Sequence, residues 1–450
     1  MNESEGILMV RQRPSNYKKP VPPKRGRKKP QEWKQAKRKY RRKLRKWQGP
    51  KKKHWPEHNS SNPRASFKHL LAFLPSIGIT IAATKLVTLA AFIVGAFLSE
   101  SAHLSQIAPR MPMLTRQRSR LRRLERWIQN KKVDCAQIMG PYTRWYFSQI
   151  DSQTIYIILD FTTKTDKFLV AMVSALQGKR TIPLYWELGL ANTKGVSRKA
   201  LAQAALRQVA KWVPKDKQVI FIADREFGST EYRKLVSKEL KWDFVLRLSA
   251  DQTSLFFADG TVLPKDRFTL QEREEKDGTK SYYCPLNQLK IKEGEAYYFT
   301  GIRLTLKKDG PFTLAAVWDK GAKEAWLIVS NLPDPTILTK IYAKRWAIES
   351  TFRDLKSYGF DLEASRIKDP ERFNRLLIGI TLAYGWAARI GHLLDQSGQR
   401  HLVDRGTKDK LSVYRIGRDW LLHLWDVADL SAIHYYFGNA RTYKEPDYMK

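Results

Sequence analysis

Downstream of residue 150, apolar positions come in short unbroken runs separated by polar turns. TIYIILD, KFLVAMVSALQ and RTIPLYWELG each read as a strand, because runs of this length rich in β-branched and aromatic residues suit a pleated, buried surface. Ser197 to Trp212 has helical periodicity, QVIFIADREF is a buried strand running into a turn, and Glu231 to Leu240 is helical again before the strand WDFVLRL. Three strands, helix, strand, helix, strand is an α/β order.

The pattern changes on either side. Between about 250 and 330, TSLFFADGTVL, AYYFTGIRLTL, FTLAAVWDK and AWLIVSNL are separated by Gly and Lys/Asp turns, which predicts a β-rich insertion. Residues 371–396 and 410–427 read as further helices. Residues 70–98 are apolar enough to suggest a membrane span, but Pro75, Gly78 and Lys85 break a run that would need about 20 residues. Two buried helices are expected there, the second from Thr84 to Leu98. Ser101 can cap a short helix punctuated by Pro109 and Pro112. A basic amphipathic helix follows, with Leu121, Leu124 and Ile128 on one face and Arg116, Arg118, Arg120, Arg122, Arg123 and Arg126 around the rest. Such a pair could present arginines to DNA as a helix-turn-helix-like module, or it could be an ordinary arginine-solvated surface helix.

One predicted helix breaks the usual rule. In IYAKRWAIESTFRDLK, with no Gly or Pro, Tyr342, Arg345, Glu349 and Lys356 fall within an arc of about 60°, so a phenol, two cations and a carboxylate share one face. An i,i+4 ion pair between Arg345 and Glu349 would account for two of them.

Charge sharpens this picture. The 450 residues carry 82 Lys and Arg against 44 Asp and Glu, a net charge of +38, which points to a polyanionic partner and foremost to nucleic acid. Much of the excess lies before residue 66, in KKPVPPKRGRKK and KQAKRKYRRKLRK. That segment has too few aliphatic residues to fold alone and reads as a basic arm gripping phosphates, its Trp33, Tyr40, Trp47 and Trp55 interleaved with cations. No signal-peptide layout is seen at the N-terminus. Cys135 and Cys284 are the only cysteines, so neither a disulfide framework nor a cysteine zinc site is expected, and a reducing cytoplasm fits. No histidine lies between His103 and His392, which argues against histidine-based hydrolase, zinc deaminase and His-dependent nuclease chemistry in the middle of the chain.

Carboxylates remain. Asp160 follows the apolar run IYIIL and Asp224 follows VIFIA, so both sit where an α/β sheet opens toward its ligand, although a lone Asp after a strand is more often a turn former. With Glu349 they form a candidate triad. Three convergent carboxylates suit two Mg²⁺ ions about 3.5 to 4 Å apart, the arrangement that serves in-line phosphoryl transfer. Arg345 and Lys356 would then neutralise phosphates.

The spacing of Tyr342, Arg345, Glu349 and Lys356, together with Asp160 in LDFTT and Asp224 in ADREF, resembles the DDE transposases of bacterial insertion sequences, in the branch that cuts through a hairpin intermediate. The likeness covers roughly residues 70–430. It implies that Asp160, Asp224 and Glu349 are catalytic and bind two Mg²⁺ or Mn²⁺ ions, and that Tyr342, Arg345 and Lys356 hold DNA at the transposon end. Trp346 would flank that contact, while Trp326 would either fill the gap left by a flipped base or pack in the core. The long basic arm is a departure from the family pattern.

The expected organisation is a basic arm over 1–66, an all-helical DNA-binding domain over 67–148, an RNase H-like catalytic domain over 149–368 with its β-rich insertion at about 250–330, and a helical region over 369–450. The expected function is metal-dependent cleavage of double-stranded DNA at transposon ends and strand transfer into target DNA, by a cytoplasmic, nucleoid-associated protein working as a homodimer without a membrane. A nuclease without strand transfer and a non-catalytic DNA-binding descendant are the alternatives.

Overall fold

The computed structural model describes residues 61–426, apart from 165–166, 192–196, 257–270, 275–279, 305–308 and 405–410. The basic arm, with Trp33, Tyr40, Trp47 and Trp55, lies outside the described residues. Among the described residues five helices come first: α1 (Ser61–Ser76), α2 (Ala83–Ser99), α3 (Leu104–Arg110), α4 (Gln117–Gln129) and α5 (Cys135–Ser148). α2 is apolar all round, and every residue from Thr88 to Phe97 is buried, as expected of a helix enclosed by others. It packs against α1, α3 and α4, which explains why residues 70–98 look like a membrane span. Ser101 does not cap α3. His103 takes that position, and Ser101 Oγ instead accepts the His103 N–H at 3.0 Å.

Eleven strands form one sheet. β1 (Thr154–Lys164), β2 (Phe168–Gln177) and β3 (Arg180–Leu190) make an antiparallel meander, and α6 (Arg198–Ala210) leads into β4 (Gln218–Ala223). The short α7 (Thr230–Lys234) continues as a π-helical turn to Glu239 and leads to β5 (Asp243–Arg247). β4 runs parallel to β1 and to β5. It is buried at five consecutive positions, as a central parallel strand must be.

The insertion adds β6 (Ser254–Phe256), β7 (Gln271–Glu274), β8 (Lys280–Pro285), β9 (Ala296–Leu304), β10 (Asp309–Val317) and β11 (Trp326–Ser330). These strands extend the same sheet, because β11 pairs antiparallel with β5, giving the order β3-β2-β1-β4-β5-β11-β10-β9-β6-β8-β7. This mixed α/β arrangement is consistent with an RNase H-like domain.

After the sheet come α8 (Leu338–Ala343), α9 (Trp346–Arg353), α10 (Pro370–Gln396) and α11 (Val413–Asp426). Among the described residues α10 is long and apolar enough to cross a membrane, but 89% of its most apolar window is buried inside the protein. It serves as a core helix against α2, α4, β3 and α11. Gly391 and Gly417 let α10 and α11 touch backbone to backbone, since a Cβ on either would run into the facing main chain.

Candidate active site

The register of the two parallel strands builds the site. β1 and β4 pair from Thr154 with Gln218 to Ile158 with Ile222, and the same offset carried two residues further brings Asp160 level with Asp224. Because side chains alternate along a strand, the two aspartates share a face of the sheet. Asp224 is the first residue after β4. Asp160, expected to end its strand, lies inside β1, which continues to Lys164 because β2 still pairs with it there. Each aspartate is oriented by its neighbour: the Phe161 N–H donates to Asp160 Oδ1 and the Arg225 N–H to Asp224 Oδ1, both at 2.7 Å. The turn after Asp224 packs tightly on β5, where a Cβ at Gly228 would meet the Arg247 carbonyl at 2.8 Å.

The third carboxylate arrives on a helix that is not continuous. Where one unbroken helix is expected, Lys344 and Arg345 form a turn between α8 and α9, closed by i→i+3 bonds from Lys344 N–H to Ile341 O and from Arg345 N–H to Tyr342 O. Both residues keep αR dihedrals, so the chain tightens locally without reversing. α9 then passes into a π-helical turn at Asp354–Tyr358 that carries Lys356.

Arg345 is the hub. Its Nη1 donates to Asp160 Oδ2 at 3.3 Å and its Nη2 to Glu349 Oε1 at 2.7 Å, with the arginine side chain only 9% exposed. The Tyr342 hydroxyl donates to Asp224 Oδ1 at 3.0 Å. Trp326 packs edge-on against the Tyr342 ring at 5.1 Å, and the exposed Trp346 ring lies 5.5 Å from the Arg345 guanidinium. The i,i+4 pair of Arg345 and Glu349 therefore exists, but as part of a network reaching back to β1.

These contacts set the charges. Burial pushes the Asp160 carboxyl up to about 6, against the pull of Arg345 and the Phe161 N–H, while the charges of Asp224 and Glu349 add to the rise. Burial also acts on Asp224, yet the Arg225 N–H, the charge of Arg345 and the Tyr342 hydroxyl outweigh it and hold that carboxyl below its usual range. Tyr342, buried beside Asp224, is held well above the usual phenol value.

Asp160, Asp224, Glu349, Tyr342, Arg345, Trp326 and Trp346 thus belong to one neighbourhood. Lys356 is half-buried at a small cavity it shares with Thr162, Lys164 and Glu363. Arg116, Arg118, Arg120, Arg122 and Arg123 lie on or at the start of α4, which packs on α2, α3 and α10. Arg120 is turned inward, donating to the Met111 carbonyl at 2.9 Å, and Arg123 donates to Thr88 Oγ1 at 3.3 Å.

One residue not expected at the site also acts on it, and a second braces the strand that carries Asp160. Arg247, at the end of β5, lends its charge to Asp224 and pairs with Glu324 at 2.9 Å. Lys164, four residues beyond Asp160 on β1, donates to Ser365 Oγ at 2.6 Å and to the Ile367 carbonyl at 3.0 Å, tying β1 to the segment after the π-turn. A cation at a strand end was the only available hint for either.

The donor set suits a hard divalent cation, being three carboxylates meeting in one network. As they stand, their oxygens are engaged by Arg345 and Tyr342. Among the described residues no group of three His, Cys, Asp or Glu side chains is placed to hold a metal ion.

A mixed sheet thus presents two aspartates from neighbouring parallel strands, with a glutamate from a following helix. Residues 189–386 match the family model for the transposase DDE domain, a stretch that contains Asp224, Tyr342, Arg345, Glu349 and Lys356 but begins after Asp160. The match supports a transposase-type function in DNA transposition and recombination. No curated protein matches the chain.

Proposed function

We propose that the protein is a DDE transposase that cuts double-stranded DNA at the ends of a mobile element and joins the freed 3′ ends to target DNA. The observation carrying this reading is the meeting of Asp160, Asp224 and Glu349, from three separate elements, around one arginine–tyrosine pair. In the hairpin route, water first opens one strand at each end. The new 3′ hydroxyl then attacks the opposite strand, releasing flanking DNA and closing a hairpin. Water reopens the hairpin, and the 3′ hydroxyl finally attacks a target phosphodiester.

Asp160, Asp224 and Glu349 would hold two Mg²⁺ or Mn²⁺ ions, which when bound supply Lewis-acid assistance to attacking and leaving oxygens. The protein's own groups do the rest. Arg345 is a planar fork suited to a phosphate, so DNA can take the guanidinium that the carboxylates now hold. Lys356 adds a point charge, and Trp346 offers an exposed ring to a nucleotide at the cut.

The test is incubation of the full chain with Mg²⁺ and DNA bearing the element's own terminal repeats. Nicks and hairpins are expected, and Asp224→Asn and Glu349→Gln should each reduce them to background while DNA binding survives. Cleavage by Asp224→Asn at the wild-type rate would rule the assignment out. The rival reading, a DNA-binding protein without chemistry, draws on the ion-paired state of the carboxylates, and an inactive wild-type chain that still binds DNA would favour it.

A further inference from the structure

Away from the carboxylates, the N-terminal turns of α2 and one flank of α4, from Thr115 before it to Asn130 at its C-cap, enclose a cleft of about 430 Å³. Lys85, Arg123 and Arg126 line it with Thr84, Ser119 and Asn130, and no Asp or Glu is among its lining residues. Arg126 is exposed and has no hydrogen-bond or ion-pair partner among the described residues. Lys85 and Arg123 are held in place, Lys85 by donating to the Lys132 carbonyl at 2.8 Å and Arg123 by donating to Thr88 Oγ1 at 3.3 Å. Thr88 in turn donates to the Thr84 carbonyl at 2.7 Å, so the inner wall of the cleft is fixed by side chain and backbone together.

The chemistry selects a ligand. Three cations with the exposed hydroxyls of Thr84, Thr115 and Ser119 form a surface of donors, and each guanidinium has five N–H groups to give. α2 is not closed by a side-chain cap at Ala82, so its first-turn N–H groups add to the same positive field. The only aromatic wall, Trp127, is 3% exposed and spends its N–H on the Arg375 carbonyl, so no ring is offered for a base to stack on.

We infer that this cleft is a clamp for the phosphodiester backbone of double-stranded DNA, reading charge and not sequence. The inference rests on the transposase reading for its choice of DNA as the polyanion. It also divides α4 by function. Arg123 and Arg126 face the clamp, whereas Arg116, Arg118 and Arg122 are exposed outside it.

Binding of the full chain to two duplexes, one carrying the element's terminal repeat and one of scrambled sequence, should be measured between 50 and 200 mM salt. Because every phosphate contact releases a counterion, Arg126→Gln and Lys85→Gln should each lower the slope of log affinity against log salt by about 1. Both should weaken the two duplexes equally, by about tenfold near 0.1 M salt. Arg126 is exposed, so its replacement leaves the melting temperature unchanged, and Arg126→Glu should enlarge the effect.

An unchanged slope in Arg126→Glu, a loss confined to one duplex, or a wild-type chain that binds neither duplex would overturn the clamp. Failure of the transposase reading is separable, since cleavage that survives Asp224→Asn would remove that reading while leaving the salt slopes as they are.

Discussion

The edge of the sheet and the cleft beside α4 treat charge in opposite ways. At the sheet, the carboxylates are answered: Arg345 holds Asp160 and Glu349, the Tyr342 hydroxyl donates to Asp224, and Arg247 holds Glu324. In the cleft, Lys85, Arg123 and Arg126 face one another with no carboxylate among the lining residues. On the proposed function, the difference lies in what each region must do before DNA arrives. A surface clamp can leave its cations to water and small counterions at little cost. A half-buried group of carboxylates cannot, because desolvated like charges raise one another's pKa, as Asp160 shows. The sheet edge therefore keeps an internal cation, and Arg345 serves as the site's own counterion.

Removing that counterion gives the largest expected effect. Arg345→Ala leaves Asp160 and Glu349 facing each other without it. Breaking a fully buried pair costs about 3 to 5 kcal/mol, and since Glu349 is 34% exposed about 2 kcal/mol is expected here. Melting in EDTA should show this loss. Melting with Mn²⁺ should restore it, with a gain larger than the wild type's, because an ion that binds only the folded state stabilises by mass action. If Mn²⁺ raises wild type and variant equally, Arg345 is not what engages the carboxylates in the absence of DNA.

The strands and helices were legible because their signals are local. TIYIILD and QVIFIAD announce buried strands by composition, and the residues after their apolar cores supply Asp160 and Asp224. Tyr342, Arg345 and Glu349 were legible as a spacing. The contacts that make them a site were not, since Arg345 meets Asp160 across 185 positions and Lys164 meets Ser365 across 201. The turn at Lys344 and Arg345 was hidden as well, because nothing in AKRW disfavours a continuous helix. Nor does composition separate the inward Arg120 from the outward Arg118 and Arg122; that depends on where the Met111 carbonyl falls. The insertion showed its strand content but not its union with the sheet, which rests on the pairing of β11 with β5.

A middle-sized effect tests whether the site at the sheet depends on a scaffold separate from that of the cleft. Thr351 stands two residues beyond Glu349 on α9, fully buried. Its Oγ1 accepts from the Thr181 N–H at 3.0 Å and from the Tyr384 hydroxyl at 3.2 Å, and it lies 3.0 Å from Thr181 Oγ1. Close by, Arg180 pairs with Asp354 at 2.7 Å. These bonds pin α9 to β3, so Thr351→Val should cost about 1 to 3 kcal/mol by leaving buried donors unmet. Urea unfolding measures that cost. Duplex binding through the cleft should keep its wild-type salt slope, and a change in slope would show that the two regions are not independent.

The smallest effect concerns Lys164, a cation on β1 held by neutral groups. Lys164 donates to Ser365 Oγ and the Ile367 carbonyl and lies 4.7 Å from the Phe373 ring centre. Burial, with the charge of Lys167 adding, lowers its ammonium to about 8. The folded value lies below the unfolded one, so the folded state binds fewer protons between the two, and stability rises with pH across that window. The cost of burying the charge is fully present below pH 8 and fades as pH climbs toward the ordinary lysine value of 10.5. Lys164→Met carries no such charge, and groups elsewhere titrate alike in both chains. The stability of the wild type relative to Lys164→Met should therefore improve by about 1 kcal/mol between pH 7 and 9.5, a figure already reduced for solvent screening. Urea midpoints at the two pH values give the difference directly. A gap that stays constant would mean that Lys164 holds its proton through the range and that its two acceptors compensate the charge as fully as a carboxylate would.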